Sequence, residues 1–202
     1  MTNSLFDRTV FFVRYKFFRK LGMFIRTSYY GLIGLQTGKN TLLAPLKVTW
    51  PHQVILGDNC ILEDDVFFKY DGIWKPGPSI RIKNRVFIGA GCEFNIRLGI
   101  EIGDDGLIAS GCKFIDHDHG FAYGELVRTQ HGIEAPIKIG NDVWLGCNVI
   151  VLKGIVINDG AVIAAESVVT KSVPKEEIWG GIPAKKIGMR TPEDNIEYLT
   201  KN

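Results

Sequence analysis

The sequence predicts an all-β chain, a prism of short parallel strands stacked in coils, led by a basic helical segment. Three patterns carry that reading. From Leu56 onward an apolar residue recurs at every sixth position: Leu56, Leu62, Phe68; Ile82, Ile88, Phe94; Ile102, Ile108, Phe114; then, unbroken, Ile139, Leu145, Val151, Ile157, Ile163 and Val169. Four residues after ten of these stands a small or β-branched residue: Cys60, Val66, Val86, Cys92, Cys112, Val143, Val149, Ala161, Ser167 or Val173. Ahead of the repeat, Phe6, Val10, Val13, Phe17, Leu21, Phe24 and Ile25 recur at three or four, the period of a helix.

A period of six is too long for a helical turn and too regular for hairpins. It fits a short strand plus a corner, and three such units complete a coil of eighteen residues. The apolar residue points inward, and the small one fits where the corner narrows. Stacked coils pair as parallel strands, so inward side chains form ladders. The coils fall at 56–73, 82–99, 102–119, 139–156 and 157–174, about 24 Å of prism at the usual strand spacing. Segments 74–81 and 120–138 interrupt the period and must project outward. Glycine one position after five of the inward residues (Gly57, Gly89, Gly103, Gly140, Gly146) is expected to serve a corner that needs an unusual backbone angle. The chain therefore divides into a helical segment at 1–40, a coil body at 41–178 and a tail at 179–202, where Pro192 followed by acids predicts a short helix.

Composition narrows the function. With 202 residues, 46% of them hydrophobic, a sizeable core is available and wholesale disorder is excluded. A net charge of +2 argues against a nucleic-acid binder. That total hides an asymmetry: residues 1–39 carry seven Lys or Arg against one acid, Asp7, and the remainder is net acidic. Basic residues interrupt every apolar run near the N-terminus, so neither a secretory leader nor a membrane span is expected, and the cytosol is the expected compartment. The four cysteines stand singly, which indicates neither zinc nor a disulfide framework. Cys60, Cys92 and Cys112 occupy the small inward slot as packing residues, and Cys147 falls outside that register and should be exposed.

The repeat resembles that of the hexapeptide-repeat acyltransferases, whose fold is a left-handed parallel β-helix. Residues 102–188 are similar to the galactoside, maltose and surface-polysaccharide O-acetyltransferases in three segments: Asp116 to Phe121 (DHDHGF), Asn141 to Val149 (NDVWLGCNV) and Trp179 to Gly188 (WGGIPAKKIG). The resemblance implies acetyl-CoA as co-substrate, no metal, a saccharide acceptor, a homotrimer and a catalytic histidine before the projecting loop. Counting on from Phe114 reaches His119, with His117 the competitor two residues away. The chemistry needs one base, because a sugar hydroxyl must lose its proton as it attacks a thioester. An imidazole titrating near 6.5 suits that task.

By the same resemblance, Asp116 or Asp118 would orient the base, and Trp144 and Tyr123 would border the acceptor. Cys147, Ala165, Thr170, Lys171, Lys185 and Lys186 would line the coenzyme's path, the lysines near its phosphates. N-acetylation of an amino sugar and a non-catalytic scaffold are the neighbouring readings. The zinc enzymes built on the same prism need stacked histidines, and His52, His117, His119 and His131 lack the required separation. Residues 4–26 mix Phe with Arg and Lys, which suits either the surface of an anionic membrane or a helix packed on the prism.

Overall fold

The computed structural model describes residues 4–191. Its body is three parallel sheets, each taking one strand from every successive pass of the chain. The first sheet stacks Gln36–Thr37, Val54–Leu56, Ile80–Ile82, Ile100–Ile102, Ile137–Ile139 and Val156–Ile157. The second stacks Leu42–Leu43, Ile61–Leu62, Phe87–Ile88, Leu107–Ile108, Trp144–Leu145 and Val162–Ile163, and a hairpin, Glu177–Gly181 with Ala184–Met189, extends it. The third stacks Leu46–Val48, Val66–Tyr70, Glu93–Ile96, Lys113–Ile115, Ile150–Val151 and Val168–Val169.

The register makes the six-residue period a set of side-chain ladders. Leu56, Ile82, Ile102, Ile139 and Ile157 stand in one column. Leu62, Ile88, Ile108, Leu145 and Ile163 form the second. Phe68, Phe94, Phe114, Val151 and Val169 form the third. All fifteen are buried, and so are the ten small companions, Cys60, Cys92 and Cys112 among them. Phe94 lies between Phe68 and Phe114, with ring centroids 4.9 and 4.7 Å away. The spacing follows from the parallel ladder itself, which sets neighbouring strands about 4.8 Å apart. Cys147 is exposed.

Three features differ from the sequence reading. A sixth coil precedes Leu56, its strands at Gln36–Thr37, Leu42–Leu43 and Leu46–Val48. The glycines after the inward residues do not adopt left-handed angles; that conformation falls two positions later, at Asn59, Gly91, Asp105, Asp142 and Asn148. Glycine is required instead by close approach: a Cβ on Gly146 would lie 2.5 Å from the Ala165 amide nitrogen in the next coil. Residues 177–189 are a hairpin rather than a tail, and the helix expected after Pro192 lies outside the described residues.

The N-terminal segment is helical, as Ser4–Phe11, a wider π-helical turn at Phe12–Phe18, and Arg19–Leu32. Its last turns meet the first coil: Met23 is buried, Thr27 Oγ1 donates to the Thr41 carbonyl at 3.2 Å, and the Tyr30 hydroxyl donates to the Leu46 carbonyl at 2.8 Å. No described helix is long and apolar enough to cross a membrane.

Candidate functional site

The site grows from the end of the third Phe in the ladder. Two positions past Phe68, Phe94 and Phe114, the inward slot holds Tyr70, Ile96 and Asp116, all buried. A carboxylate in a core slot needs hydrogen-bond donors around it, since it has nothing to donate itself. Asp116 obtains them from the corner of the preceding coil: the backbone amides of Arg97, Leu98 and Gly99 donate to it at 2.9, 2.7 and 2.8 Å. Its Oδ1 also lies 3.0 Å from Nδ1 of His117.

Strand alternation turns His117 outward, one step from the buried acid. With Nδ1–H donating to Asp116, the free lone pair sits on Nε2, which is 3.7 Å from Oδ2 of Asp71. The ring is 9% exposed, so it is fixed in place with one edge open. Asp71, Arg97 and His117 each lie three positions past a Phe of the ladder, which makes them a column on the outer edge. Arg97 Nε donates to the Asp71 carbonyl at 3.2 Å, and its guanidinium is 3.3 Å from Glu134.

The projecting loop returns beside this column. His117 bridges Glu134 in antiparallel sense, and the Ala135 amide donates to the Asp116 carbonyl at 2.9 Å. Asp118 faces the loop and the next coil rather than the imidazole. It accepts from the Ile133 amide at 2.8 Å and pairs with Lys153, whose ammonium holds the carboxyl below its ordinary value. His119 is exposed, and its side chain makes no hydrogen bond among the described residues. Tyr123 is fully exposed on the loop.

The other expected site residues stand elsewhere. Trp144 is half exposed on the outer face of the second sheet, between Leu107 and Val162. Cys147 and Ala165 occupy the corner after that sheet, where the Glu166 amide donates to the Cys147 carbonyl at 2.8 Å. Thr170 and Lys171 are exposed just past the last strand of the third sheet, on the edge that carries His117. Lys185 and Lys186 lie on the hairpin, and Lys186 is held by Glu177 at 2.7 Å, a pairing that lowers the Glu177 carboxyl. Among the described residues, no cluster of three His, Cys, Asp or Glu could hold a metal.

Sequence reasoning missed Asp71, Arg97 and Asn95. The column offset from the phenylalanines was the available signal for the first two. Asn95 stands on the outer face between Lys69 and Ile115, and its Oδ1 is buried without a partner. Trp74 follows Asp71 by three residues in segment 71–79. Buried Gln53 clamps that segment, its side-chain amide donating to the Lys75 carbonyl at 2.7 Å.

Comparison with known proteins agrees with this architecture. Residues 136–171 match the bacterial transferase hexapeptide (six repeats) family, and residues 79–112 match the hexapeptide repeat of succinyl-transferase. The chain is 31% identical over 148 residues to galactoside O-acetyltransferase of Escherichia coli, covering 71% of this chain and 68% of that protein. It is 37% identical over 113 residues to a probable acetyltransferase of Mycobacterium tuberculosis, covering 55% of this chain and spanning only 38% of that protein's length. A solved N-acyltransferase of Bacillus cereus, in complex with dTDP and 3-hydroxybutyryl-CoA, superposes with a TM-score of 0.72 at 21% identity, over 87% of this chain and 93% of that one. The chain belongs to the hexapeptide-repeat acetyltransferases.

Proposed function

We propose that this chain transfers an acetyl group from acetyl-CoA to a saccharide hydroxyl, with His117 as general base. The observation that carries the assignment is the Asp116–His117 pair: a buried, amide-saturated carboxyl group holds Nδ1, leaving Nε2 as the base. The acceptor oxygen bonds to the thioester carbonyl carbon as its proton passes to Nε2. The C–S bond then breaks, and the leaving thiolate takes that proton. Asp71 Oδ2 lies 3.7 Å from Nε2, beside the position the proton occupies in between. His119, exposed and without a group to orient its ring, is less suited to this role.

The sheets are read as the faces of a closed left-handed prism, and the assembly as a homotrimer. Two observations support the trimer. His117 stands past the third sheet while Cys147 and Ala165 stand past the second, so a second copy would bring its own Cys147 and Ala165 against His117. The loop also exposes Phe121, Leu126, Val127 and Ile133, apolar side chains that a neighbouring copy would cover. On that reading the coenzyme's arm lies along Cys147, Ala165, Thr170 and Lys171, with Lys185 and Lys186 near its phosphates. The exposure of Cys147, Ala165 and Thr170 leaves room for it. Trp144 and Trp74 are suited to border the acceptor. A chain that is monomeric by light scattering while fully active would end this part of the reading.

The test is acetyl-CoA consumption across free sugars and nucleotide sugars, with mass spectrometry to distinguish a new ester from an amide. His117→Ala should lower turnover on the order of 10²- to 10⁴-fold with little change in acetyl-CoA binding. His119→Ala should change turnover far less. The opposite ranking would move the role to His119.

A further inference from the structure

The N-terminal helix is inside out for a helix packed on a soluble body. One stripe faces the first coil and is largely polar: Arg19, Met23, Arg26, Thr27 and Tyr30. Arg19, Met23 and Arg26 border a cleft with Ala44, Pro45 and Asp64, and Arg19 pairs with Asp64 at 3.2 Å. The opposite stripe is Leu21, Phe24, Ile25, Tyr29 and Leu32, all exposed. A surface helix ordinarily turns its apolar stripe inward. Further toward the N-terminus Phe6, Phe11, Phe12, Phe17 and Phe18 are each more than half exposed.

The charge on the same segment selects the occupant. Residues 4–32 hold six Lys or Arg (Arg8, Arg14, Lys16, Arg19, Lys20, Arg26) against Asp7 alone. Packing the helices of several copies on one another would gather like charge with only Asp7 of each helix to offset it. An anionic bilayer accepts both features together: aromatic and aliphatic side chains enter the headgroup boundary while Lys and Arg meet the phosphates. The segment is helical over roughly 40 Å at the usual rise, yet too polar to cross the membrane, so it would lie along the surface.

We propose that residues 4–32 dock the protein on an anionic membrane surface through the ridge Leu21, Phe24, Ile25, Tyr29 and Leu32 and the phenylalanines that precede it. This rests on the exposed ridge and its charge, independently of acetyl transfer. Only its consequence, access to a saccharide carried on a lipid, depends on the proposed function.

The experiment is co-sedimentation of the full chain with phosphatidylcholine vesicles with and without phosphatidylglycerol, over a salt series. Binding is expected only with phosphatidylglycerol and should fall steeply with salt. Each Lys or Arg near such a surface contributes about a factor of five, so Arg8, Arg14, Lys16 and Lys20 all changed to Gln should weaken binding by on the order of several hundred-fold. Phe17→Ser with Phe18→Ser and Phe24→Ser should abolish binding at low salt, with melting, mass and turnover on a soluble sugar unchanged. Absence of binding at low salt would overturn the proposal. So would a change of mass in the Phe variant, which would make the ridge a contact between copies, or a lowered melting point, which would make it a packed cap.

Discussion

The coil body and the N-terminal helix are similarly rich in apolar side chains and use them in opposite ways. In the body, each inward residue has a twin one coil above and below, so apolar surface buries itself by repetition. In the helix, Met23 is the one apolar side chain buried among the described residues of Ser4–Leu32, and the ridge opposite it faces outward. The contrast teaches that an apolar period reports geometry, and burial follows only where the fold supplies a second surface. Parallel stacking supplies one automatically. A lone helix depends on whatever lies beside it.

The largest expected effect breaks the comparison at its strongest point. Phe94→Ala removes the middle ring of the buried Phe68–Phe94–Phe114 stack and should cost about 3–5 kcal/mol by urea denaturation. Phe18→Ala, removing the same atoms from the helix, should change stability in solution by less than about 0.5 kcal/mol. Equal costs would mean that the helix is packed in solution after all. The smaller effect sharpens the seam between the regions. Tyr30→Phe deletes the hydroxyl that donates to the Leu46 carbonyl and should cost about 1 kcal/mol. Hydrogen exchange should quicken in Arg19–Leu32 and the strand Leu46–Val48, while the Phe ladder is unaffected.

The parts legible in the sequence were those that repeat. Fifteen inward positions, the packing role of three cysteines and the exposure of Cys147 all follow from one period. The coil at 36–48 escaped because its ladder residues are Thr37, Leu43 and Val48, one of them polar and the last a residue out of step. The glycine positions were visible, but their cause was misjudged: the backbone of the adjacent coil, eighteen or more residues away, forbids a Cβ there. Gapless counting from Phe114 pointed to His119, whereas the histidine held by a buried acid is His117. The sequence places an aspartate beside each histidine, but it does not show that Asp116 is buried against His117 while Asp118 turns to Lys153.

By itself, then, the sequence determined the period, the three ladders and the family, because a side chain's inward or outward sense depends on spacing along the chain. Only the tertiary structure decided which histidine is held. That choice rests on three amides at 97–99, a coil away from Asp116, converging on its carboxyl group and so fixing the acid that orients His117. It also decided which stripe of the N-terminal helix faces the body. Both stripes carry side chains able to pack, and the docking surface offered carbonyls at Thr41 and Leu46 of the first coil and a carboxyl group at Asp64 of the next, so it drew the polar one. Electrostatic and hydrogen-bond matching between distant segments has no period, and it becomes visible only when the segments meet.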